Sequence, residues 1–219
     1  MALRPLPESL LNRPDIWLGE KATRIAGESS GYAALDALLP GAGWPRGTIS
    51  ELLIPRPGVG EFGLMLPLLV RQSQMGRRVV FVGPPHIPYA PALARAGVAL
   101  QQFWVIEPPA TADRVWAVEQ ILRCAGTGVV VGWLDTAEER VQRRLQLAAE
   151  QNGDGVVGLL MRPEKALRQP SVAALRLALR PEPTGTRIEI LKSRGGRVGQ
   201  SLRLGPHPAF STGARAAGG

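Results

Sequence analysis

Cysteine is almost absent from this 219-residue chain. Cys124 stands alone, so an intrachain disulfide and a multi-cysteine metal site are both excluded. Histidine is nearly as scarce, and His86 and His207 are too few to build a zinc site of the usual ligand count. Aromatic residues make up 5% of the chain, and five of them are Trp. Long apolar runs are missing too. The longest, residues 62–70, contains Gly63 and Pro67 and is too short to cross a bilayer. Near Met1, the residues Pro5, Pro7, Glu8 and Asn12 interrupt any secretory apolar core. These absences predict a reduced, cytoplasmic protein with no membrane partner. What is present is 45% hydrophobic residues at a mean hydropathy of +0.01, enough for one packed domain.

Charge is unevenly placed. Residues 1–160 carry 15 basic and 15 acidic side chains, whereas residues 161–219 carry 11 basic and 3 acidic, which is the whole net charge of +8. A one-sided basic segment points to a polyanion or an acidic protein surface. The opposing reading is compositional: 23 of the 26 basic residues are Arg, beside 26 Gly and 20 Pro, as a GC-rich genome would write solvated surface.

Along the chain, residues 6–12 read as a short amphipathic helix ended by Pro14, and residues 13–29 as polar and irregular. Ser30 is a candidate cap for a helix through Tyr32, Leu35, Leu38 and Leu39, and residues 41–47 (GAGWPRG) are turn-rich. Strand-like runs then alternate with helical patterns. Strands are expected over 48–54, 78–82, 102–106, 129–134 and 155–160; helices over 60–74, 88–96, 111–124 and 136–151. Near-continuous apolar strands separated by helices imply a mostly parallel, twisted α/β sheet covered on both faces. Residues 172–179, 186–191 and 200–204 read as antiparallel strands at its edge, with the connection PEPTG turning between the first two. The expected organisation is an N-terminal helix and irregular segment (1–29), a core domain (30–204) and a mobile tail (205–219).

The first strand leads to a Gly-containing loop and then a helix, the layout that cradles nucleotide phosphates. The pattern Gly-x-x-x-x-Gly-Lys-Ser/Thr is not met. Pro55 stands for the first Gly, only Gly60 fits, Gly58 falls at a variable position, Glu61 stands for the Lys, and Phe62 for the magnesium-holding hydroxyl. A carboxylate there repels a triphosphate: like charges about 4 Å apart cost about 4 kcal/mol at an effective dielectric near 20. The later strand that should end in a magnesium-binding acid ends in Gly132 and Trp133, with Asp135 two residues late. This reads as a vestigial phosphate loop with no cofactor, and no acid/base pair, triad or metal cluster marks an enzyme.

Residues 29–39 (SSGYAALDALL), 41–47 (GAGWPRG) and 49–52 (ISEL) resemble the lead-in to the RecA/RAD-type ATPase core, and residues 170–179 and 186–194 resemble its C-terminal strands. A RecA-like core without ATP residues is similar to the ImuA family of bacterial translesion mutasomes, related to the cell-division inhibitor SulA. The segment 9–17 fits the ImuA family better. That resemblance implies a RecA-like fold and a non-catalytic, cytoplasmic, SOS-induced accessory protein. Its implied partners are ImuB and RecA, and indirectly an error-prone DnaE-type polymerase and the sliding clamp. Two alternatives stand beside it: a direct single-stranded DNA binder, and a SulA-like division inhibitor.

Candidate contacts follow. Residues 161–170 occupy the place of the second DNA-binding loop of RecA-like proteins and carry Arg162, Lys165 and Arg168; Lys192, Arg194 and Arg197 form a second basic cluster. Trp17 and Trp44 lie in irregular segments, where a Trp is a better partner contact than one in a core element. Trp104, Trp116 and Trp133 read as packing, Cys124 as packed and inert, and His86 as a loop residue.

Overall fold

In the computed structural model, residues 26–135 and 138–207 are described. The run Thr48–Ile54, apolar but for Thr48, Ser50 and Glu51, forms β3, buried along its full length at the centre of an eight-stranded sheet. In chain order the elements are β1 (Gly27–Glu28), α1 (Ala33–Asp36), β2 (Trp44–Pro45), β3, α2 (Glu61–Gln74), β4 (Arg78–Val82), α3 (Ala90–Arg95) and β5 (Phe103–Ile106). There follow α4 (Thr111–Arg123), β6 (Thr127–Trp133), α5 (Glu139–Glu150), β7 (Val157–Pro163), β8 (Leu175–Glu182), β9 (Gly185–Ser193) and β10 (Ser201–Leu204). The sheet order is β10-β9-β8-β3-β7-β6-β4-β5. From β8 to β5 all neighbours are parallel, and β9 and β10 add antiparallel at one edge. The mixed α/β sheet and its antiparallel edge are as the sequence predicts.

Both faces are covered. Leu35 of α1, Leu64, Met65, Leu68 and Leu69 of α2 and Leu93 of α3 pack on Leu52, Phe81, Val131 and Leu159. On the other face Val118 and Leu122 of α4 and Leu145 and Ala148 of α5 pack on Ile49, Val80, Val130 and Leu160. Strands buried on both sides show no polar face, which is why most of them read as near-continuous apolar runs.

Several expectations are corrected. The first of the three C-terminal strands, β8, runs parallel to β3 and belongs to the sheet interior; only β9 and β10 are antiparallel. Ser30 does not cap α1, whose first turn follows Tyr32. Instead Asp36 accepts from the Ser30 N–H at 2.7 Å and the Ser29 hydroxyl at 2.6 Å, closing the turn from within. Part of the segment read as irregular pairs: β1 bonds antiparallel to β2 and draws Trp44 into the core. Trp104 and Trp116 are about half exposed or more, at 49% and 62%, and Cys124 is exposed rather than packed. The helix over 6–12, Trp17 and residues 208–219 of the tail lie outside the described residues.

Candidate functional site

The loop between β3 and α2 turns on two left-handed glycines, Gly58 (φ 81°) and Gly60 (φ 101°). Such a conformation aims successive N–H groups into a concavity that suits an anion. The anion is supplied by the chain itself. Glu61, first residue of α2, is 6% exposed. Its Oε1 accepts the Gly58 N–H at 2.7 Å and its Oε2 accepts the Val59 N–H at 2.8 Å. The carboxylate also sits at the positive end of the helix dipole. Thr186 of β9 donates its hydroxyl to the Val59 carbonyl at 2.6 Å, and a Cβ at Gly60 would meet that hydroxyl oxygen at 2.0 Å. The loop is thus clamped between α2 and the edge hairpin. Phe62 and Phe81 meet edge to face, with centroids 5.9 Å apart. Pro55, Arg56 and Pro57 are exposed.

Beside this loop, at the carboxyl ends of β3, β4 and β6, lie two adjoining cavities. An apolar one of about 330 Å³ is walled by Phe62, Phe81, Trp133, Pro88, Tyr89 and Leu93. A polar one of about 360 Å³ is lined by Arg56, Arg114, Arg162 and Asp135. Pro57, Pro84, Pro85 and Trp133 border both. Carboxyl-end crevices of this kind are where open α/β sheets take ligands. Ile87 and Tyr89 stand 76% and 69% exposed at the lip, and His86 is an exposed loop residue. Arg114, Tyr89 and Ile87 carry no motif that would single them out; the one sequence signal is the Pro-dense run GPPHIPY after β4.

Under the polar cavity lies a buried ion triad. Glu51 of β3 accepts Arg162 Nη1 at 2.6 Å and Arg176 Nε at 2.7 Å; the side chains of Glu51 and Arg162 are wholly buried, and that of Arg176 is 9% exposed. Gln169 accepts from Arg162 at 2.7 Å, and the carbonyls of Gln169 and Ala166 accept from Arg176. Arg162 is therefore corrected: its guanidinium is buried at the floor of the cavity and held by Glu51 and Gln169, so it is not the surface cation that a DNA-contacting loop would present. Lys165, Arg168, Arg194 and Arg197 are exposed, as a contact surface requires. Lys192 is half-buried and donates to the Ser171 carbonyl at 2.6 Å. Burial, then the nearby Arg194, pulls its pKa below the ordinary lysine value. Trp44 is also corrected: it is 0% exposed and packs in the core with Leu35 of α1, so it presents no surface of its own to a partner.

Among the described residues no helix is long and apolar enough to cross a membrane. Residues 47–156, half of the chain, match the family model described as cell division inhibitor SulA. SulA of Edwardsiella piscicida is 33% identical over 105 residues, 47% of this chain and 60% of that protein. RecA of Bacillus subtilis is 28% identical over 175 residues, 79% of this chain and 49% of that protein. The chain thus spans less than two thirds of the length of each of these relatives, 60% and 49%. The crystal structure of SulA from Pseudomonas aeruginosa covers 52% of this chain and 97% of its own, at 23% identity and a TM-score of 0.43.

Proposed function

This chain belongs to the SulA family of cell division inhibitors, and on that premise we propose that it is a non-catalytic inhibitor that halts bacterial division by binding a protein of the division machinery during the SOS response. The observation that carries this reading is the family match over residues 47–156, which runs from β3 through the filled loop to the approach of β7. The loop supports the non-catalytic part. Glu61 takes the N–H donors that a phosphate would need, and Phe62 offers no hydroxyl for magnesium. The test is induced expression in a bacterial host, with the purified tubulin-like division protein assayed for polymerisation beside it. Filamentous cells and slowed polymerisation are the expected results. Normal division together with unchanged polymerisation would remove the reading.

One observation favours a second reading. Similarity to RecA runs over 175 residues, well beyond the family match. That breadth fits an ImuA-like accessory protein that binds ImuB and RecA and brings a DnaE-type polymerase and the sliding clamp to damaged DNA. Capture of ImuB or RecA by the purified chain at low salt, without division arrest on expression, would favour it over the first.

A further inference from the structure

The double cavity at the carboxyl end of the sheet has one apolar half and one cationic half. In the cationic half, Arg56 and Arg114 form no ion pair with a described residue. The Nε atoms of Arg114 and of the fully buried Arg162 have no hydrogen-bond partner. Beneath them, one Glu51 carboxylate answers two guanidiniums, so the buried triad keeps an unbalanced positive charge. Charge buried without a counter-ion is costly, and an anion seated above it would relieve that cost. The apolar half offers Phe81 and Trp133, whose rings lie 5.1 Å apart, with Ile87 and Tyr89 held out at the lip. Prolines frame both halves, so little order has to be gained on binding.

We propose that this groove docks an extended acidic segment of a partner protein. A carboxylate of that segment sits on Arg56 and Arg114 above Arg162, and an adjoining large apolar side chain fills the cavity over Phe81 and Trp133. A polyphosphate suits the site less well. Asp135 borders the cationic half, and the neighbouring loop donors are already taken by Glu61. The inference deepens the protein-binding reading given above and rests on it for the kind of partner.

The test is selection of random dodecapeptides displayed on phage against the immobilised full chain, followed by anisotropy titration of the most enriched peptide. Enriched sequences are expected to place Asp or Glu within three residues of Leu, Phe or Trp. The double variant Arg56→Glu/Arg114→Gln and the single variant Ile87→Asp should each weaken binding at least about tenfold, as loss of a charge partner or an anchor pocket does. Arg56 and Ile87 are exposed, so Arg56→Glu alone and Ile87→Asp keep the test standing if the double variant melts early. Failure to enrich, enrichment of peptides without acidic residues, or affinity unchanged in the variants would overturn the proposal. Displacement of the peptide by magnesium-ATP with the same dependence on Arg114 would also overturn it, assigning the groove to a nucleotide. Peptide binding is read apart from division. Arrest that survives the groove variants would sink this inference alone, and peptide binding with normal division and unchanged polymerisation would sink only the division reading.

Discussion

Two N–H groups, of Gly58 and Val59, converge on the Glu61 carboxylate, and without it each would need water or a ligand. Replacing Glu61 with Ala leaves both donors unanswered, Val59 in a buried setting, and is expected to cost about 1–3 kcal/mol. A urea titration would show this as a lower midpoint with an unchanged slope. Glu61→Lys turns the charge toward what a phosphate loop needs, yet it sets a cation against N–H donors. It should be destabilised further and still show no calorimetric binding of magnesium-ATP, because Phe62 brings no hydroxyl. Heat of binding from that variant would mean that Glu61 alone bars the nucleotide. Glu51 allows a sharper comparison. Glu51→Ala leaves two buried guanidiniums facing each other and should cost about 3–5 kcal/mol, the usual penalty for stripping a buried ion of its partner. Arg162→Met leaves a balanced Glu51–Arg176 pair and should cost clearly less. Equal losses in the two urea midpoints would contradict an unbalanced triad.

At the scale of elements, α2 carries a proline in its seventh position, where a helix is normally broken. Pro67 has no N–H to give to the carbonyl four residues earlier, that of Gly63. Tyr32 fills the gap by donating its hydroxyl to Gly63 O at 2.7 Å, and Gly31, at φ 84°, lets the turn pass so close that a Cβ there would meet Pro67 Cβ at 2.3 Å. Tyr32→Phe should therefore cost about 1 kcal/mol, whereas in a Pro67→Ala background, where residue 67 regains its N–H, the same change should cost much less. A double-mutant cycle in urea reads that coupling directly. Burial raises the Tyr32 pKa above its ordinary value. Its bond is thus fully present below the unfolded tyrosine value and is lost as pH rises through the higher folded one; Tyr32→Phe should lose this alkaline dependence. These contacts also mark where sequence reading stops. The run SSGYAALD was legible as a motif, but its use, bracing a proline-bearing helix, depends on a partner some thirty residues away. The apolar strands and amphipathic helices were legible because their periods state their burial. The parallel pairing of β8 was not, because a strand's period says nothing of its neighbour's direction. Nor were β1 and β2, since two residues have no period. Arg162 looked like a surface cation because the carboxylate that buries it lies 111 residues earlier.

Across the whole molecule, the basic excess of residues 161–219 is only partly drawn into the fold, and two of its exposed arginines pair with acids of the same segment. Arg162 and Arg176 serve Glu51, Arg180 pairs with Glu164, and Arg203 pairs with Glu182. Lys192 is tied to the Ser171 carbonyl and sits in a setting that disfavours its charge. Of the six cations put forward for DNA, Lys165, Arg168, Arg194 and Arg197 are exposed, and Arg194 already leans on the Val172 carbonyl. Four phosphate contacts to a single strand correspond to a slope of log K against log salt of about −3, since each contributes roughly 0.7. Anisotropy with a labelled oligothymidylate between 50 and 200 mM salt, about the range over which such slopes show, should give a slope no steeper than that. Neutralising the four together should abolish what binding there is, while Arg162→Met should leave the slope unchanged. A steeper slope, or one that responds to Arg162, would require the sheet end to open and release the triad, and would move the polyanion reading ahead of the protein-binding one.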